Sequence, residues 1–171
     1  MKNIVLIGMP GAGKSTIGVI LAKVLGYNFI DSDLLIQEQE NALLKDIIAQ
    51  KGQDGFLAIE DQVNRDIKTE HSIIATGGSI IYSSEAMEHL REIGIVVYIR
   101  LSYPTIENRL GNIKQRGVVL REGETLRTLY DDRCPAYEKY AHLVVDGEGL
   151  GMEELMDKIV KELEKNYGNF K

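Results

Sequence analysis

One stretch near the amino terminus has the residue types and spacing needed to hold a phosphate group. Residues 8–16 have the sequence GMPGAGKST, which fits the pattern G-x-x-x-x-G-K-[ST] between an apolar run at 4–7 and a helix-forming run at 17–25. Glycines carry no Cβ, so backbone N–H groups can close around an anion, and the following helix adds a partial positive charge. The alternative is a Gly-rich turn with an incidental lysine, which the flanking strand and helix argue against.

The side chains of this phosphate loop predict a nucleotide together with its metal ion. Lys14 supplies a cation for the outer phosphates, and Ser15 supplies a hydroxyl for Mg²⁺. The residues expected to contact the nucleotide are Gly11, Ala12, Gly13, Lys14, Ser15 and Thr16.

Polar residues follow two later strands at the points where those strands end. Asp31 and Asp33 come after a predicted strand at 27–30, and residues 77–79, Gly-Gly-Ser, come after a strand at 72–76. Ligands of open parallel sheets gather at the carboxyl ends of the strands, so both groups are candidate ligand contacts. The alternatives are that the acids cap a helix and that the glycines form an ordinary strand-to-helix turn.

The elements that must position these residues alternate between strand and helix along the whole chain. Five predicted strands separated by helices indicate a three-layer α/β/α domain with a five-stranded parallel sheet, the doubly wound P-loop NTPase fold. Residues 111–123 lack periodicity and carry several basic side chains. We expect this segment to be a flexible lid of the kind that closes over a phosphoryl-transfer site.

Composition limits the classes of protein that remain. The chain has 171 residues, 44% hydrophobic and 27% charged, which fits one domain over 1–171. A net charge of −6 argues against a nucleic-acid partner, and the longest apolar runs are far shorter than the roughly 20 residues of a membrane helix. Cys134 is the single cysteine, so an internal disulfide cannot form. The first predicted strand and the phosphate loop begin directly at the amino terminus, which leaves no room for a cleavable signal. These features predict a cytoplasmic protein, which we expect to be a monomer.

GTPases, ATPase motors and small-molecule kinases all use a phosphate loop, so the choice among them depends on the rest of the chain. The sequence has no Asn-Lys-x-Asp guanine signature and no second large domain of the kind that a motor drives. Small size and the basic lid favour a kinase of a small metabolite.

The ordered set of motifs resembles the shikimate kinase family, within the nucleoside-monophosphate-kinase-like group of phosphate-loop folds. Each motif after the loop is weak alone, but the set is in order and covers nearly the whole chain. After the loop, the motifs are Asp31-Ser32-Asp33, Gly55-Phe56 with Glu60, Thr76-Gly77-Gly78, Arg116 in the lid, and Arg133-x-Pro135-x-Tyr137.

This resemblance implies transfer of the γ-phosphoryl group of ATP to a hydroxyl of shikimate, giving shikimate 3-phosphate for aromatic amino-acid biosynthesis, with Mg²⁺ between the phosphates. It implies that Lys14 and Arg116 stabilise the transferring phosphoryl group, and that Ser15 binds the metal directly while Asp31 holds it through water. Arg109 lies where the family packs a side chain on adenine; the alternative is a free surface arginine.

The resemblance also assigns the acceptor side. Asp33 would receive the attacking hydroxyl, and Arg133 would pair with the acceptor carboxylate. The helical region 31–70 and the turn of Gly77, Gly78 and Ser79 would complete the substrate site.

Three departures from the family pattern concern the acceptor. Leu57 stands where the family has a carboxylate-binding arginine, Ser79 replaces a third glycine, and Gly117 replaces a proline after the lid arginine. A bidentate Arg–carboxylate contact contributes about 1.5–3 kcal/mol. Three hypotheses follow: a divergent shikimate kinase that relies on Arg133, a related kinase of a different hydroxylated metabolite with Leu57 as an apolar wall, and a nucleotide-binding module without turnover. A module without turnover would not need Asp33, because it transfers no phosphoryl group to an acceptor.

Overall fold

The computed structural model describes residues 2–111, 118 and 120–170. These residues form a five-stranded parallel sheet, in the order β2-β3-β1-β4-β5, and seven α-helices. In chain order the elements are β1 Asn3–Ile7, α1 Lys14–Leu25, β2 Asn28–Asp31, α2 Ser32–Glu40, α3 Leu44–Arg65, β3 Ser72–Ala75, a 3₁₀ turn Ile80–Tyr82, α4 Ser84–Ile93, β4 Gly94–Arg100, α5 Tyr103–Leu110, α6 Leu126–Tyr140, β5 Leu143–Asp146 and α7 Met152–Tyr167.

The sheet is buried because helices cover it. β1 lies at its centre, where Ile4 pairs with Ile73 of β3 on one side and with Ile95 of β4 on the other. Every residue of β1 and β3 is buried, which explains why, after Asn3 and Ser72 at their starts, their sequences are apolar without alternation. The predicted fold class is therefore confirmed.

A second, smaller core lies between α2 and α3. Ile36, Ile47, Phe56 and Val63 are buried against one another there. Gly52 in the sequence predicts a break between two helices, and α3 is interrupted there, since φ of 72° and ψ of 178° lie outside the helical region. This cluster fixes the helical region that follows β2, and the substrate-binding role of that region stays a prediction.

Two helices differ from the sequence-based expectation. α1 begins at Lys14 rather than at residue 17, so Lys14 belongs to its first turn. Pro135 in the sequence predicts a kink or an end of α6, but the helix continues through it. Pro135 and Asp131 are both exposed, so the carbonyl that the proline leaves without its i+4 partner is open to water. Within the described ranges, no helix is both long enough and apolar enough to cross a membrane.

Candidate active site

The phosphate loop joins β1 to α1 and depends on glycines with positive φ. Gly11 has φ 81° and Gly13 has φ 89°, a left-handed conformation that side chains disfavour. Gly13 is the N-cap of α1 and offers no side chain as a cap. The first N–H groups of a helix have no partner within it, and here no side chain caps them. This is the usual anion-binding arrangement. Ala12 is buried, and its N–H donates to the Met9 carbonyl at 3.1 Å.

Lys14 is folded back onto the loop. Its Nζ donates to the carbonyl oxygens of Gly8, at 2.7 Å, and Met9, at 2.8 Å. Burial lowers the pKa of Lys14 to about 8, against the opposing influence of Asp33, which raises it. A bound phosphate would favour the protonated form, so the ammonium is suited to an anion in this cavity.

Asp31 is the helix cap that the sequence allowed, and its other oxygen contacts the phosphate loop; its ligand-binding role stays a prediction. Its Oδ1 accepts from the N–H groups of Asp33, at 3.0 Å, and Leu34, at 3.3 Å, and so caps α2. Its Oδ2 accepts from the Ser15 hydroxyl at 2.7 Å. Two hard oxygen donors from different elements thus meet beside the loop, and this donor set suits Mg²⁺.

Asp33 faces Gly77 at very short range. A Cβ atom on residue 77 would lie 2.7 Å from Asp33 Oδ1 and 2.6 Å from Glu60 Oε2, so only glycine leaves both carboxyl groups in place. Burial, and then the nearby Asp31 charge, raise the pKa of Asp33 to about 6. Asp33 is therefore mainly ionised at neutral pH and can accept a hydrogen bond from a hydroxyl.

Glu60 is a buried carboxyl group whose role the sequence did not predict. Only 1% of Glu60 is exposed, and its Oε1 accepts from the Ser79 hydroxyl at 2.6 Å. Its Oε2 is buried and has no hydrogen-bond partner among the described residues. Burial raises the pKa of Glu60 to about 8, so the group is mainly uncharged at neutral pH. One signal was available: Glu60 shares the buried face of α3 with Phe56 and Asn64, at helical spacing.

Arg133 projects from α6 into the same region and is 1% exposed. A Cβ atom on residue 78 would lie 3.0 Å from its Nη1, so Gly78 allows a close approach. Its Nε donates to the Tyr82 hydroxyl at 3.3 Å, and its guanidinium carbon lies 5.3 Å from the Tyr82 ring centroid. Tyr82 in turn donates to Asp132 at 2.9 Å. Tyr137 is fully buried and donates to the Gly78 carbonyl at 2.5 Å.

One cavity of about 400 Å³ brings the predicted nucleotide and acceptor residues together. Its size is ordinary for a small-molecule site. The predicted residues that line it are Gly11, Gly13, Lys14, Ser15, Thr16, Asp33, Gly77, Gly78, Ser79 and Arg133.

Five predicted residues lie elsewhere or cannot be placed, and Asp31, described above, is one of them. Ala12 is buried in the core and does not line the cavity. Arg109 does not line it either, but its Nη1 donates to the Gly11 carbonyl at 3.3 Å. Leu57 lines a neighbouring cavity that shares Glu60 and Ser79, so it does not form the apolar wall that was expected in the main cavity. Arg116 lies outside the described residues.

The lid prediction is covered only in part. Residues 112–117 and 119 lie outside the described part of the chain. Val118 is described, is 9% exposed and lines the main cavity, while Arg121 forms an ion pair with Asp54 at 3.3 Å. The closure of residues 111–123 over a substrate stays a prediction.

The phosphate loop follows the central strand of a five-stranded parallel sheet and faces a cavity with an ionised acid and an arginine. This arrangement defines a phosphate-loop kinase of a small molecule. The comparisons with known proteins identify the family. Residues 10–164 match the family model described as shikimate kinase. The chain belongs to the shikimate kinase family.

Individual relatives agree with this assignment. The chain is 36% identical over 168 residues to a shikimate kinase of Thermodesulfovibrio yellowstonii, covering 96% of both chains. It is similar to the structure of a shikimate kinase from Acinetobacter baumannii in complex with shikimate, with a TM-score of 0.91, 31% identity and coverage of 99% and 96%. The shikimate kinase of Aquifex aeolicus gives a TM-score of 0.85 at 30% identity, covering 98% of this chain and 99% of that one.

Proposed function

We propose that this protein transfers the γ-phosphoryl group of ATP to a hydroxyl of shikimate, giving ADP and shikimate 3-phosphate. The observation that carries this proposal is that one cavity is lined both by the phosphate loop and by Asp33 and Arg133. The similar structure from Acinetobacter baumannii, a complex with shikimate, supports the choice of acceptor. We further propose that the protein acts in the cytoplasm as a monomer.

The nucleotide half would act through charge and position. The loop N–H groups, the amino end of α1 and Lys14 would hold the phosphates and stabilise the charge of the transferring group. Mg²⁺, when bound, neutralises phosphate charge, and Ser15 with Asp31 are the residues suited to hold it. We also propose that Arg109 packs on the adenine and that Arg116 contacts the phosphates, as the family resemblance implies.

The acceptor half would orient one hydroxyl toward the γ-phosphorus. Asp33 accepts the hydrogen bond of that hydroxyl, whose oxygen forms the new bond to phosphorus while the bond from phosphorus to the bridging oxygen of ADP breaks. The hydroxyl proton leaves to the Asp33 carboxylate. Arg133, held by the ring and hydroxyl of Tyr82, would pair with the shikimate carboxylate and fix the ring.

The test is ADP release from MgATP and shikimate, with the product identified by its ³¹P NMR signal. Asp33→Asn keeps the size of the side chain and removes the base, and we expect a fall in kcat of roughly 10²–10⁴-fold. Asp157→Asn, at an exposed position of α7, is the matched control and should retain full activity. Absence of saturable shikimate turnover in the wild-type protein would refute the proposed acceptor.

A further inference from the structure

The Glu60 carboxyl group faces both ends of the turn formed by residues 77–79. Oε1 accepts from the hydroxyl of Ser79 at one end of the turn, at 2.6 Å. Oε2 faces Gly77 at the other end, 2.6 Å from the point where a Cβ would lie. Between the two, Nη1 of Arg133 approaches Gly78. The Glu60 carboxyl group and the Arg133 guanidinium group, which would receive the acceptor carboxylate, therefore approach the same turn.

The position of the acid hydrogen follows from these contacts. The charged groups that face Glu60 from the packed elements are Asp33 of α2, Arg133 of α6 and Lys14 of α1. Arg133 and Lys14 favour the ionised form, but burial outweighs them, and the pKa of Glu60 is about 8. When Ser79 donates to Oε1, the hydrogen of the neutral group lies on Oε2. Oε2 is itself buried and has no hydrogen-bond partner among the described residues, and Glu60 is one of the residues that line the cavity.

Charge explains why a neutral group is useful at this position. An ionised Glu60 would repel a carboxylate in the cavity and would compete with it for Arg133. A protonated Glu60 leaves the charge of Arg133 to the acceptor and offers a second hydrogen bond to the same carboxylate. Position 57, where a basic side chain is expected, holds Leu57, which faces the neighbouring cavity and brings no charge.

We propose that Glu60, in its acid form and oriented by Ser79, donates a hydrogen bond from Oε2 to the acceptor carboxylate, and that it acts with Arg133 in place of an arginine at position 57. This inference rests on the proposed function because it takes shikimate as the carboxylate-bearing acceptor. It makes Glu60 and Ser79 determinants of specificity for an acid.

The first experiment measures KM for shikimate at saturating MgATP between pH 6 and 9.5, in the wild type and in Glu60→Gln. If only the acid form binds, the wild-type KM rises about tenfold per pH unit above pH 8. Glutamine keeps an N–H donor at every pH and can still accept from Ser79, so the KM of the variant should lack this rise. Lys14, whose pKa is also about 8, is present in both proteins, and the comparison isolates Glu60. Parallel profiles would overturn the proposal.

A second measurement needs no turnover. The ¹³C carboxyl signal of Glu60 is titrated in the wild type with and without shikimate, and is assigned by its absence in Glu60→Gln or, should that variant not fold, by its displacement in Ser79→Ala. A carboxylate that binds only the acid form must raise the pKa of Glu60 by linkage, and we expect an increase of at least about one unit. The analogue with a hydroxymethyl group in place of the carboxylate should produce no such increase.

The two measurements separate the two proposals. A raised Glu60 pKa with shikimate but no ADP formation would refute the proposed phosphoryl transfer and support the carboxylate contact. Shikimate turnover with a pKa that stays constant or falls would overturn the contact and leave the transfer intact. An equal increase with the hydroxymethyl analogue would also overturn the contact.

Discussion

Gly77 offers a test of how closely the acceptor site is packed. In Gly77→Ala the new Cβ would lie 2.7 Å from Asp33 Oδ1, whereas ordinary contact begins at 3.4 Å. The φ angle of residue 77 is not positive and both obstructing atoms are ends of side chains, so the fold can accept alanine by moving them. Asp33 must then move by about 0.7 Å, and because a misplacement near 1 Å can cost 10²-fold, we expect kcat/KM for shikimate to fall by about that factor. This corresponds to about 2.7 kcal/mol of transition-state stabilisation.

The assay is steady-state ADP release, accompanied by thermal unfolding and by ATP binding. Gly151→Ala is the control, because its Cβ would approach nothing closer than 3.6 Å, and its kcat/KM should stay within twofold of the wild type. ATP affinity and melting temperature should change little in Gly77→Ala, since the obstructed atoms belong to the acceptor side. A kcat/KM within threefold of the wild type would show that the close approach at Gly77 does not position Asp33.

Three further predictions concern the metal, the arginine and stability. Ser15→Ala removes the hydroxyl that donates to Asp31, so we expect half-maximal activity to require roughly ten times more free Mg²⁺ in a magnesium titration, and an unchanged requirement would contradict the metal role. Tyr82→Phe keeps the ring beside Arg133 but removes the hydrogen-bonded hydroxyl, which should raise KM for shikimate by about 2–10-fold while kcat carries little of the change; a loss confined to kcat would argue against positioning. In the folded protein the pKa of Glu60 is raised from 4.5 to about 8. The contribution of this group to stability is therefore complete below pH 4.5 and is lost as pH rises to 8. Denaturant unfolding at several pH values should therefore show the free energy of unfolding of Glu60→Gln increasing relative to that of the wild type between about pH 5 and 8, with no further increase above pH 8. A difference that does not depend on pH would refute the raised pKa.

The phosphate loop could be predicted almost completely because its structure is local. The glycines at 11 and 13 adopt the positive φ angles that their type allows, and strand, loop and helix are adjacent in the sequence. The start of α1 was placed three residues late because apolar periodicity begins only at Ile17, whereas the helix begins where the loop turns. Asp31 caps α2 with one oxygen and accepts from Ser15 with the other, so its role as a cap does not exclude the predicted metal role.

The acceptor side was harder to predict because four separate elements build it. Asp33 comes from α2, Glu60 from α3, Arg133 from α6, and the turn at 77–79 from the end of β3. No local pattern shows that the Glu60 carboxyl group meets the Ser79 hydroxyl, since the two residues are 19 positions apart and the contact depends on how α3 packs. For the same reason the side of α3 on which Leu57 lies could not be read from its neighbours in the sequence.

The contrast between the two halves bears on how such a site can change. Phosphate binding depends on backbone N–H groups and a few fixed side chains, so the nucleotide half leaves little room for substitution. The acceptor half depends on side chains that touch one another across elements, so a loss at one position can be offset at another. Leu57 and Ser79 fit this description: the first brings no charge, and the second donates to Glu60 Oε1 while Oε2 has no partner among the described residues. We infer that the two departures are linked through Glu60, and that neither can be judged alone.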